Sequence, residues 1–91
     1  MTDSISQVLS ERGKRYGVFS EHAEYAQEMK EIFRTSHNWK GMQPDQREAL
    51  EMIAHKIGRI LNGDPNYSDS WIDISGYAKL VSDRLETGIG E

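Results

Sequence analysis

Glu48, Glu51, His55 and Arg59 recur at intervals of three and four residues within a stretch that reads as one helix. At about 100° per residue these four, with Asn62, form a single stripe. The same spacing lets a helix present two side chains to one hard cation, so Glu48 with Glu51, and Glu51 with His55, are candidate ligand pairs. It also describes an ordinary solvated helix face, which is the simpler reading. Asp69 and Asp73 stand one turn apart where the next helix begins, and the positive end of a helix dipole favours anions there. Capping accounts for one of them. Asp73 lies beside the strip Ile72, Gly76, Leu80 and, if partly buried, needs a partner such as Lys56, Arg59 or His55. A structural salt bridge ranks above metal binding for Asp73.

The elements that must position these groups follow from apolar periodicity. Ala49, Leu50, Ile53, Ile57, Ile60 and Leu61 share one face of a helix over 44–61, opened by Pro44 and Asp45 and stopped by Asn62-Gly63. Glu48 and Glu51 point away from that face, so they form a site only if another helix or subunit covers them. A further helix over 70–86, capped by Asp69 or Ser70, carries the stripe Trp71, Ile74, Ala78, Val81, Leu85 and the smaller strip Ile72, Gly76, Leu80 on roughly the other side. Two apolar sides make it the candidate centre of a bundle, and Gly76 suits close approach of another backbone. Earlier in the chain, Ile5, Val8 and Leu9 give a short helix over 4–12 that ends near Gly13. A connector, Lys14 to Phe19, leads to a helix over 20–35 with Tyr25, Ala26, Met29, Ile32 and Phe33 inward. His22 falls on that inner side and reads as a core histidine bonded to a neighbour. Trp39, in the following loop, reads as a cover on the core edge. The expected architecture is an all-α, bundle-like single domain over 1–91, with four helices of which the first is short, and a core of Leu50, Ile53, Ile57, Ile60, Ile74, Ala78 and Val81.

Composition excludes several classes. The chain has 91 residues, no cysteine and a net charge of −4, so disulfides and thiolate metal sites are out and a non-specific nucleic-acid surface is not expected. The short basic cluster Arg12, Lys14, Arg15 reads as a solvated helix end. No segment resembles a signal peptide or approaches the roughly 20 apolar residues of a membrane span, so a soluble, cytoplasmic protein with no membrane partner is expected. Short length and the second apolar strip point to a homo-oligomer, most simply a twofold dimer. There is no phosphate-cradling glycine loop and no nucleophile elbow.

Three strings resemble a known family: Lys14-Arg15-Tyr16-Gly17, then His55 through Asp64 (HKIGRILNGD), then Asp69 through Ala78 (DSWIDISGYA). Over Lys14 to Leu85 they look like a family of small bacteriophage and prophage proteins catalogued as a domain of unknown function. A more distant similarity joins the last string to phage domains associated with nucleotide modification and to the MazG-like all-α nucleotide pyrophosphohydrolases. Those enzymes carry Glu-x-x-Glu on one helix and Glu-x-x-Asp on the next, and bind Mg²⁺ that holds a triphosphate. Glu48-x-x-Glu51 matches the first element. At the second, Ser70 stands three before Asp73, and Asp69 comes one place too early. This resemblance implies Glu48, Glu51 and Asp73 on Mg²⁺, with His55, Lys56, Arg59 and Tyr77 as ligand-binding residues, the first three near phosphate.

Two functions compete. One is binding or hydrolysis of a Mg²⁺-nucleoside phosphate, in which the metal neutralises phosphoryl charge and positions water. The other is a non-catalytic phage accessory protein that binds and modulates a host or phage protein, for which a small acidic surface suits a basic partner. If phage-encoded, the chain works in the host cytoplasm.

Overall fold

A computed structural model describes residues 4–88, and among them are four α-helices and no strand: α1 (Ser4–Tyr16), α2 (Phe19–Thr35), α3 (Pro44–Asn62) and α4 (Ser68–Thr87). The first helix runs through Gly13 and stops at Gly17 instead. Gly17 takes φ 81°, the left-handed conformation that ends helices, and its N–H donates to the Gly13 carbonyl at 3.0 Å. A glycine inside a helix costs about 1 kcal/mol against alanine, which is too little to stop one. A 3₁₀ turn, Trp39–Gly41, separates α2 from α3, and Trp39 stacks on Phe33 with ring centres 5.6 Å apart. At the start of α3 the Gln46 side chain accepts the Gln43 N–H at 2.9 Å, a capping contact that Gln makes in place of the commoner Glu.

The centre is α3 and not α4: α2 and α4 each pack along α3 and scarcely touch one another. His22, early in α2, meets His55 and Gly58 late in α3. At the other end Asp45, at the start of α3, receives Arg84 from the end of α4, with Arg84 Nη2 donating to Oδ1 at 2.9 Å. Both neighbours therefore run antiparallel to α3. Close packing on two sides is achieved with small residues, since Ala26, Ala49, Ala54 and Gly58 are buried.

This changes the expected core. Leu50 and Ala78 are exposed, and Ile53, Ile57, Ile60, Ile74 and Val81 are only half-buried. The helices approach through their alanines and glycine, which turns the larger aliphatic side chains toward an open side. Buried instead are His22, Lys56 and Ser70. Lys56 lies deep between α3 and α4, its Nζ 3.2 Å from the Asp73 carboxylate, which is the salt bridge anticipated for Asp73. Gly76 meets nothing within 4 Å of where a Cβ would stand, so close backbone approach is not its role within the chain. Among the described residues no helix is long and apolar enough to cross a membrane.

Candidate functional site

The connector between α1 and α2 is bolted to the end of α3. Asn62 donates from Nδ2 to the Val18 carbonyl at 2.8 Å and to the Tyr16 carbonyl at 3.4 Å. The Asp64 N–H donates to the Arg15 carbonyl at 2.6 Å. Two glycines make this approach possible: a Cβ at Gly17 would run into the Asn62 carbonyl, and one at Gly63 into the Arg15 carbonyl and Tyr16 backbone. Docked in this way, Tyr16 lies beneath the Arg59 guanidinium, 4.1 Å from its carbon to the ring centre. Tyr16 also meets Tyr67 edge-on at 6.0 Å, and Arg15 covers Tyr67 at 4.4 Å. Cation–π contacts of this kind contribute about 0.5–1 kcal/mol each at partly exposed positions.

Beside this stack, α1, α2 and α3 enclose an open cavity of about 650 Å³, lined by Arg12, Tyr16, Phe19, His22, His55 and Arg59 with Leu9, Val18, Gly13 and Gly17. The lining has two arginines, two histidines and no carboxylate, in a chain whose net charge is −4. Arg59 Nε is buried without a hydrogen-bond partner, and among the described residues no carboxylate pairs with Arg59 or Arg12.

The histidines are held by backbone and by shape. His22 donates from Nε2 to the His55 carbonyl at 3.0 Å. A carbonyl only accepts, so neutral His22 carries its proton on Nε2. The imidazoles meet at 4.4 Å, and Phe19 packs edge-on to His22 at 5.7 Å. Gly58 leaves room for this: a Cβ there would stand 2.6 Å from His22 Cδ2. Burial pushes His22 below its ordinary pKa despite the bond to the His55 carbonyl. Burial, then the neighbouring His22, Arg59, Lys56 and Lys30, push His55 down to about 4. Both rings are neutral at pH 7, so the positive charge of the cavity rests on Arg12 and Arg59.

Of the residues chosen from sequence, His55 and Arg59 meet at this cavity. Lys56 faces the other way, toward Asp73. Tyr77 and Glu48 line a separate groove of about 310 Å³ between α3 and α4, with Asp45, Leu80 and Arg84. Glu51 is half-buried and lines neither space. Glu48, Glu51 and Asp73 are not brought together, because Asp73 of α4 meets the Lys56 side of α3, about 80° round from Glu48 and about 140° from Glu51. No group of three or more His, Asp or Glu among the described residues is placed to hold a metal ion. Sequence reasoning missed Arg12, Tyr16, Phe19 and His22 as partners of His55 and Arg59. The available signal was the pair of glycines around the connector, which marks backbone packed against backbone.

No curated protein and no solved structure matches the chain. Residues 1–85 match the family described as Domain of unknown function (DUF6378), within which all three strings that carried the resemblance fall, and the chain belongs to that family.

Proposed function

We propose that the protein binds a phosphate-bearing small molecule, best read as a nucleotide, in the cavity between α1, α2 and α3. The observation that carries this is Arg59: a guanidinium held over the ring of Tyr16, its Nε buried without a partner, at the wall of a space whose lining contains no carboxylate. A planar fork of uncommitted N–H donors suits phosphate oxygens. Arg12 supplies a second charge, and His22 and His55 add neutral polar groups that an anion would encourage to protonate. Leu9, Val18 and Phe19 give an apolar and aromatic wall against which a base can pack.

The reading is binding and not hydrolysis. Mg²⁺ would arrive as the counter-ion of a polyphosphate, not on Glu48, Glu51 and Asp73. A phage or prophage protein acting on host nucleotides would do so in the host cytoplasm, and this proposal includes that setting.

Thermal melting with inorganic triphosphate and a panel of nucleoside triphosphates, with EDTA or with Mg²⁺, tests the reading. A ligand selective for the folded state raises the midpoint in proportion to RT ln(1 + [L]/Kd). The expected result is a rise in EDTA that the Arg59→Met variant lacks. If no phosphate compound moves the wild-type midpoint, the reading fails.

A further inference from the structure

The open side of the helix layer has a size and a chemistry of its own. Since α2 and α4 both run antiparallel to α3, helical phase turns Tyr25 and Ile32, Leu50 and Leu61, and Trp71 and Leu85 toward the same side. All six are between 36% and 68% exposed, and the half-buried Ile53, Ile57 and Ile74 run between them. On α3 and α4 this strip includes no charged residue. A monomer rarely leaves a continuous apolar area beyond a few hundred Å² in water.

We propose that this face is the contact with a second copy of the chain. The accessible surface is 6594 Å² for 10.4 kDa, roughly 1,200 Å² more than the surface–mass relation for folded monomers gives. A standard interface covers about 800 Å² on each partner, so one copy seated here removes an excess of the right order. The radius of gyration, 15.5 Å, likewise exceeds the roughly 12 Å of a compact domain of this length. Isologous pairing sets like against like across a twofold axis. An uncharged apolar strip tolerates that, whereas a charged one would repel its copy. Two such layers face to face give the two-layer core that one chain lacks, since no large side chain among the described residues is fully buried. The surface differs from the Ile72, Gly76, Leu80 strip expected to drive assembly: Leu80 lines the small groove with Asp45 and Arg84. It is also independent of the nucleotide reading, because Ile57 and Arg59 lie about 160° apart round α3.

Sedimentation of the full chain from micromolar to millimolar concentration is the test. The expected result is a reversible species of twice 10.4 kDa. Leu50→Glu with Leu61→Glu abolishes it, and Leu80→Glu leaves it intact. Should the double variant fail to fold, wild-type hydrogen exchange decides: α3 amides that slow with rising protein concentration support the proposal. Concentration-independent exchange, a wild type that stays monomeric throughout, or a dimer that survives in a folded double variant overturns it. Occupation of the face by a different protein while the chain alone is monomeric also overturns it.

Discussion

Arg59 of α3 stacks its guanidinium carbon 4.1 Å above the ring of Tyr16, the last residue of α1. The contact joins an element near the start of the chain to its central helix and fixes a planar cation at the edge of the cavity. Lysine has neither the plane nor the fork of donors. Arg59→Lys is therefore expected to lower stability by about 0.5–1 kcal/mol through the lost stack and to weaken triphosphate binding by roughly tenfold, about 1.4 kcal/mol. Urea unfolding gives the first number and isothermal titration the second. Full retention of affinity in Arg59→Lys would remove the guanidinium from the site.

The histidine pair sets a pH dependence of definite sign. His22 and His55 are both below their ordinary pKa when folded, His55 at about 4, so the unfolded chain takes up protons first. Their contribution to stability is complete above pH about 6.5 and falls as pH drops from there toward 4. Urea midpoints measured between pH 7.5 and 4.5 should show this decline, and His55→Gln should flatten it. Bound phosphate opposes the decline by favouring the imidazolium. A midpoint that rises on acidification through this range would contradict the burial of the two rings.

Gly58→Ala tests the α2–α3 contact. Alanine gains about 1 kcal/mol in helix propensity, but its Cβ would stand 2.6 Å from His22 Cδ2 and 3.1 Å from the His22 carbonyl. The backbone carbonyl cannot swing aside as a side chain can. Overpacking of about 1–3 kcal/mol should win, giving a net loss in a thermal melt and weaker triphosphate binding together. A stabilised Gly58→Ala protein would mean that α2 sits farther from α3.

How much of this was legible in the sequence varied with the kind of signal. Helix positions were, because Pro44, Asn62-Gly63 and the aliphatic spacing mark ends and period locally. Which side of α3 would be covered was not. Periodicity places Ile53 and Ile57 on one face, yet says nothing about Ala54 and Gly58, whose small size lets α2 come closer. The polar stripe was recognised as one set, but neighbours divide it: His55 and Arg59 meet the connector, while Glu48 lies by Tyr77 and Arg84. That Asp73 would be salt-bridged was readable, with Lys56, Arg59 and His55 as candidate partners, but that Lys56 would be the buried member of the pair was not. The stack of Tyr16 on Arg59 was not, since it depends on a docking that only Gly17 and Gly63 allow.

Asp73 provides a contrast between the two readings of its carboxylate. Lys56 is 9% exposed, so Asp73→Ala leaves an ammonium without its partner. The loss is expected at about 1–2 kcal/mol, below the roughly 3–5 kcal/mol of a fully buried pair, because the Asp73 side chain is 46% exposed and solvent screens it. Triphosphate affinity measured in EDTA should not change. A variant of normal stability that has lost nucleotide binding would restore Asp73 to the site.

The most direct test is a titration of the imidazole signals of the full chain, followed by ¹H–¹³C NMR, with inorganic triphosphate and then nucleoside triphosphates in EDTA. The account predicts saturable shifts of His22 and His55 toward the protonated position, with exposed His37 unmoved and Arg59→Met abolishing the response. Unshifted His22 and His55 at saturating ligand, or equal shifts at all three histidines, would contradict it.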